Sequence, residues 1–357
     1  MKFGPVSLDQ AEGAILAHSV TLTSGRLRKG QRLEASHLQD MAGQGMTQVI
    51  CARLDPGDVE EDTAAARIAA ALVPDPAGQG LRITPPFTGR VNLLADGPGV
   101  IVLDPDTLTR LNHIDPMLTL ATVPAFQQLA AGGMAATVKI ISYAVPETSV
   151  TAAEALLAGS PALHLARPAL RTARLVVTEI PGGAGEKGVT AVKDRLTALG
   201  LSLTSVSTTP HTVDRLGEEL ARDAGDDLTL ILTGSATSDP HDVAPEAVRR
   251  AGGAIDRFGM PVDPGNLLFL GQLHGRPVIG LPGCARSPAL NGADWILSRI
   301  ACGLTVTGGD ISDMGVGGLL KEIPTRPQPR ESRRAARPAA GAASAGAGAS
   351  GDKVDQS

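Results

Sequence analysis

The stretch Leu228-Thr229-Leu230-Ile231-Leu232-Thr233-Gly234-Ser235-Ala236-Thr237-Ser238-Asp239-Pro240-His241-Asp242 decides how this chain is read. Its first five residues are a continuous apolar run, which suits a parallel strand covered on both faces. Small and hydroxylated side chains follow at once. Further on, a second strand ending in Gly280-Leu281-Pro282-Gly283 leads into Cys284-Ala285-Arg286-Ser287. Both loops fall where an open α/β sheet binds ligands, beyond the carboxyl ends of its strands.

The surroundings support that reading. From Arg174 onward, strands and helices alternate: Leu175–Thr178, Leu201–Val206 and Leu228–Leu232 read as strands, and Lys187–Leu199, Thr212–Asp223 and Val243–Arg250 as helices. Their apolar residues recur at helical spacing, as in Val189, Val192, Leu196 and Leu199. A hairpin turning at His274-Gly275 and a last helix over Ser287–Cys302, started by Ser287-Pro288, complete the pattern. The predicted fold class is α/β, with a mostly parallel sheet in three layers forming the C-terminal half and smaller α+β units before it.

Four parts are expected. Residues 1–73 read as a small α/β unit with a strand over Ala14–Val20 and helices over Ala35–Met41 and Glu61–Leu72. Residues 80–160 read as a β-rich middle region, with strands at Val100–Leu103 and Ala136–Ile141 and a bulge or close backbone approach at Gly132-Gly133. Residues 171–323 form the α/β domain. Residues 326–357 are Arg/Pro-rich and then Ala/Gly/Ser-rich, a composition predicted to be disordered.

Composition excludes several functions. Of 357 residues, 43% are hydrophobic but only 2% aromatic, so the cores are aliphatic and few rings remain to stack on nucleic-acid bases. The net charge is −5, and the segment from Arg326 carries six basic and three acidic residues, so the remainder is more acidic still. Nucleic-acid binding is not expected on that balance. Cys51, Cys284 and Cys302 show neither disulfide nor zinc spacing. No apolar run reaches membrane-spanning length and the amino terminus lacks a signal-like segment, so a cytoplasmic location is expected.

Thr233, Gly234, Ser235, Ala236, Thr237 and Ser238 offer backbone N–H groups and hydroxyls to an anion, although a plain strand-to-helix turn has the same look. Asp239 and Asp242 could hold a divalent cation such as Mg2+ beside a phosphate; Asp242 also precedes Val243, where it would cap a helix. Gly280, Pro282 and Gly283 shape the second loop, and Arg286 and Ser287 pair a guanidinium fork with a hydroxyl at an expected helix start. Cys284 there is expected to favour its thiolate, or else to pack as a small residue. Lys139, unusual within an apolar strand, points into an interdomain cleft or sits at an edge.

These motifs together resemble the molybdopterin-binding domain shared by molybdopterin molybdenumtransferases and adenylyltransferases. Thr233-Gly234-Ser235 through Asp242 resembles the family's Thr-Gly-Gly loop ending in Asp. Pro264-Gly265 is similar to its Pro-Gly segment, and Gly280 through Ser287 to its Gly-Leu-Pro-Gly-x-x-x-Ser. The resemblance covers about Arg174 to Leu304. It implies that molybdopterin or the finished molybdenum cofactor is the ligand, with the Thr233–Ser238 loop, Pro264-Gly265 and Ser287 around it and Asp242 as the acidic catalytic residue. Departures bear on turnover: Asp263 and Asn266 stand where the transferases have lysines, and His211 stands where the adenylyltransferases have Asp. His211 is either a substitute base or a surface residue. A molybdenumtransferase-like enzyme of molybdenum cofactor biosynthesis, a carrier delivering cofactor to a client molybdoenzyme, and a nucleotide hydrolase are the three functions compatible with these residues. Homo-oligomerisation is compatible with each.

Overall fold

The computed structural model describes residues 1–159 and 161–320, so the segment 326–357 predicted to be disordered lies outside the described residues. Near the amino terminus, strands Lys2–Ser7, Gln48–Arg53 and Ile15–Leu16 pair in an antiparallel sheet. The expected strand over Ala14–Val20 does not form as one piece. Ala14, Ile15, Leu16 and Ala17 are all buried, a run that two-residue alternation cannot place on one face. The chain instead turns outward at His18, and Val20–Leu22 makes a separate hairpin with Gly25–Leu27.

The middle region has a four-stranded antiparallel sheet in the order Leu118–Thr122, Met134–Ile140, Arg90–Ala95, Leu81–Ile83, and a three-stranded sheet centred on Gly99–Leu103. The helix Glu61–Leu72 covers the first sheet with Ala64, Ala65, Ile68 and Leu72 buried. A register shift between Met134 and Ala136 marks a bulge just after Gly132-Gly133.

The C-terminal half is one six-stranded sheet between two helical layers. Its elements are β1 (Thr172–Glu179), α1 (Val189–Ala198), β2 (Ser202–Pro210), α2 (Val213–Ala221), β3 (Leu228–Leu232), α3 (Val243–Arg250), β4 (Ala254–Phe258), β5 (Phe269–Leu273), β6 (Arg276–Leu281) and α4 (Gly292–Ala301). Strand order is β2-β1-β3-β6-β5-β4. The first four run parallel, and β5 is antiparallel to both its neighbours. Successive side chains of β1 and β3 enter opposite cores: Leu175, Val177, Leu230 and Leu232 pack with Val192 and Leu196 of α1 and Ile296 of α4. Val176 and Ile231 pack with Leu216, Leu220 and Val248 of α2 and α3 on the other face.

Short polar side chains begin the helices on the second face. The Thr212 side chain accepts from Arg215 N–H to start α2, and Asp242 accepts from Val243 N–H to start α3. The last helix differs from expectation. Instead of starting at Ser287-Pro288, the chain makes a 3-10 turn over Gly283–Arg286, runs extended, and begins α4 at Gly292 with an Asn291/Asp294 capping box.

Because β1 connects to β2 on one side and the chain then returns to β3 on the other, the sheet's topological switch point lies between β1 and β3. At such a point an open α/β sheet has its ligand crevice, beyond the carboxyl ends of the two strands.

Candidate functional site

Three loops meet at that crevice: residues 180–188 after β1, 233–242 after β3 and 282–291 after β6. The loop after β3 is braced from within. Thr233, only 6% exposed, donates through Oγ1 to the Ser235 carbonyl at 2.6 Å, and its hydroxyl lies 3.4 Å from that of buried Thr237. Asp242 accepts from Val243 N–H through Oδ1 at 2.7 Å and from Ser238 N–H through Oδ2 at 3.0 Å, closing the loop onto α3. The N–H groups of Ser235, Ala236 and Thr237 find no partner among the described residues. Ser235 and Ser238 are exposed beside them. A run of unpartnered N–H groups flanked by hydroxyls suits an anion.

Across the crevice, Thr178 at the end of β1 is fully buried, and its Oγ1 accepts from Gly234 N–H at 2.9 Å. The same hydroxyl lies 2.8 Å from His211 Nδ1. If Thr178 donates its proton to Nδ1, the imidazole is neutral and carries its own proton on Nε2. Desolvation pushes the His211 pKa below the ordinary histidine value, with Asp242 pulling the other way. His211 is half-buried against the end of β1 and is not a fully exposed loop residue. Gly234 is required where it stands, because a Cβ there would lie 2.7 Å from the Thr178 carbonyl.

Arg286 does something other than present a fork to a phosphate. Its guanidinium donates to the carbonyls of Gly185 at 2.9 Å, Lys187, and Thr233 at 2.9 Å, joining all three loops. Gly188, at φ +101°, leaves room for it, since a Cβ there would lie 2.6 Å from Arg286 Cα. A second arginine fixes the outer part of the last loop. Arg195 of α1 pairs with Asp294 and donates to the carbonyls of Ala285 at 2.9 Å, Ser287 at 2.8 Å and Ala289 at 3.0 Å.

The remaining sequence-predicted residues divide. Ser287 stays exposed at the rim, and Gly283 faces open space. Gly280 and Pro282 are buried; a Cβ on Gly280 would lie 1.9 Å from the Phe269 ring, so this glycine serves core packing. Pro264 accepts from Gly292 N–H at 2.8 Å, and Gly265, at φ +138°, passes against the same residue, so this pair buttresses the start of α4. Cys284 does not favour its thiolate: it is half-buried and desolvation pushes its pKa up. Asp239 accepts from His241 N–H through Oδ1. Among the described residues no group of three or more acidic, His or Cys side chains could hold a metal ion, and both Asp242 oxygens already have backbone donors. These two carboxylates alone do not make a magnesium cage.

The loop after β1 is a further part of the site that the motifs above do not include. Gly182-Gly183-Ala184-Gly185-Glu186-Lys187-Gly188 holds four glycines in seven residues between a strand and a helix, a visible signal for close backbone approach. Lys187 is exposed at this rim and makes no ion pair among the described residues. No helix among the described residues is long and apolar enough to cross a membrane.

Residues 5–53 match the family model described as a domain of unknown function. No match is found among curated proteins. Among solved structures, the molybdopterin biosynthesis moeA protein from Pyrococcus horikosii is 11% identical, with 84% of this chain and 75% of that one covered and a TM-score of 0.29. Molybdenum cofactor biosynthesis protein B is 14% identical, with 37% and 88% covered and a TM-score of 0.26. A molybdopterin biosynthesis protein from Mycobacterium abscessus is 15% identical, with 37% and 92% covered and a TM-score of 0.27. Residues 179–300 match the family model described as a probable molybdopterin binding domain.

Proposed function

We propose that the protein binds molybdopterin or the molybdenum cofactor in the crevice between β1 and β3 and acts in molybdenum cofactor biosynthesis. The observation that carries this reading is the run of unpartnered N–H groups at Ser235, Ala236 and Thr237, held at a topological switch point in a segment that matches this family model. The ligand phosphate sits on those N–H groups and on the Ser235 and Ser238 hydroxyls, with Ser287 at the rim. Lys187 supplies the cation that Asp263 and Asn266 do not. Retention of a pterin by the purified protein, read as fluorescence after oxidation, tests the reading; a protein that never retains one refutes it.

On activity, the transferase-like reading assigns His211 Nε2 as the proton donor or acceptor and Asp242 as the residue that fixes the loop. The carrier reading, in which the protein holds finished cofactor for a client molybdoenzyme, is favoured by one observation: both Asp242 oxygens are engaged by backbone N–H groups. Magnesium would enter only with ligand phosphates as additional donors, and no step is assigned to it. Incubation with adenylated molybdopterin, molybdate and magnesium separates the readings, because hydrolysis coupled to molybdate insertion excludes a passive carrier. We also propose three domains, with the expected boundary after residue 73 moved back to about residue 53: residues 11–51 pack around an apolar cluster of their own, Val59 to Val73 join the cluster of the middle region, and the segment from 171 onward has its own cores.

A further inference from the structure

A second concavity lies far from the crevice in sequence. A cavity of about 420 Å³ is lined by Lys29, Gly30, Glu61, Thr88, Lys139, Ile141, Ser142 and Tyr143. Its floor is a built charge pair. Lys139, in a central strand of the four-stranded sheet, lies 3.6 Å from Glu61 at the start of the helix 61–72 and also donates to the Thr88 carbonyl. Thr88 is held in the left-handed region at φ +48°, a conformation costly for a β-branched residue. Gly89 follows at φ +68°, where a Cβ would lie 2.6 Å from Glu61 Oε2 and 2.9 Å from Lys139 Nζ. The backbone is thus shaped around the ion pair. Burial pushes the Glu61 carboxyl upward while Lys139 opposes it, as expected of a pair partly removed from water.

Two features at the mouth point outward. Lys29 has no carboxylate partner among the described residues, and its ammonium lies 5.7 Å from the Tyr143 ring centroid. The chain has only seven aromatic residues, and two of them stack here, with a third next to Thr88 in the chain. Phe3 stacks on Tyr143 with ring centroids 6.4 Å apart, and Phe87 adjoins Thr88. Phe3 is 58% and Phe87 76% exposed, so neither serves a core. Among the lining side chains two ammonium groups stand against one carboxylate beside the Tyr143 ring, while Asp62, next to Glu61 in the chain, is engaged by Gly89 N–H at 2.5 Å.

We propose that this cavity binds a small planar anion, an aromatic or heteroaromatic ring bearing a carboxylate or phosphate. The anionic group meets Lys29 and Lys139, and the ring lies against Tyr143. The size is that of a small-ligand site. The site is independent of the pterin crevice.

Tyr143 is the chain's one tyrosine, so full-length protein labelled on tyrosine gives a single set of ring resonances. Benzoate and AMP are the anionic ring probes, inorganic phosphate the anion alone, and benzyl alcohol the ring alone. Saturable shifts with benzoate or AMP are expected, with the two partial probes about tenfold weaker or worse. Lys29→Gln, an exposed change, should weaken binding about tenfold. Lys139→Gln should abolish it, and because that change leaves Glu61 unpaired, Glu61→Gln/Lys139→Gln serves as the folded control, which should also fail to bind. The proposal is overturned if neither ring anion moves the Tyr143 resonances, if benzyl alcohol binds as tightly as benzoate, or if Lys29→Gln binds unchanged.

Discussion

Replacing Thr178 by valine removes one hydroxyl from a fully buried position and changes almost nothing in shape. That hydroxyl accepts from Gly234 N–H at 2.9 Å and meets His211 Nδ1 at 2.8 Å, so it ties the ends of β1 and β3 and the start of the α2 segment together. An unsatisfied buried donor costs about 1–3 kcal/mol, and the lost imidazole bond adds roughly 1 kcal/mol. Thr178→Val should therefore destabilise the C-terminal domain by about 2–4 kcal/mol. Thr178→Ser keeps both bonds and loses one methyl group, for about 1 kcal/mol. Trp295, the chain's one tryptophan, packs against this core, so its fluorescence in a urea titration reports on the correct domain. The midpoint should fall much further for valine than for serine, with an unchanged slope. Equal shifts for the two variants would refute the bridge.

Arg286→Ala removes the donor shared by the Gly185, Lys187 and Thr233 carbonyls. It should leave helix content intact while proteolysis within residues 180–188 becomes faster and pterin retention is lost. Gly280→Ala drives a methyl group into the Phe269 ring and should cost about 3 kcal/mol; Phe269→Leu in the same chain should restore part of it, measured as a double-mutant cycle. His211 has a folded pKa below its unfolded value of about 6.5. The unfolded chain therefore takes up the proton first, and stability is present above about pH 6.5 and declines as pH falls towards the folded value. His211→Phe should flatten that part of the stability profile, and an unchanged profile would mean that His211 titrates freely.

The centre of the sheet was legible because β1 and β3 are nearly unbroken aliphatic runs and because Thr212 and Asp242 are caps whose partners lie within three residues, whereas the polar, half-exposed edge strand β4 escaped. The cores on its two faces follow from the alternation of Leu175, Val176 and Val177. What escaped were contacts between distant residues. Ser287-Pro288 has the composition of a helix start, yet the Ser287 and Ala289 carbonyls are held by Arg195 of α1 and capping passes to Asn291. Arg286 beside Ser287 looks like a phosphate fork, but its partners are carbonyls on two other loops. His211 looks like a lone loop histidine because Thr178, its partner, is 33 residues away. Gly280 reads as part of the ligand-binding loop, and only the fold shows the Phe269 ring against it. The glycines at 182–188 carry a visible signal in composition alone, whereas the contact of Gly188 with Arg286 appears only in the fold.

Backbone amide spectra of the full chain, recorded while molybdopterin is added, test the central claim most directly. The account predicts the largest shifts at Ser235, Ala236 and Thr237, with smaller ones at Lys187 and Gly283. Saturable binding that leaves those three amides unmoved would contradict it.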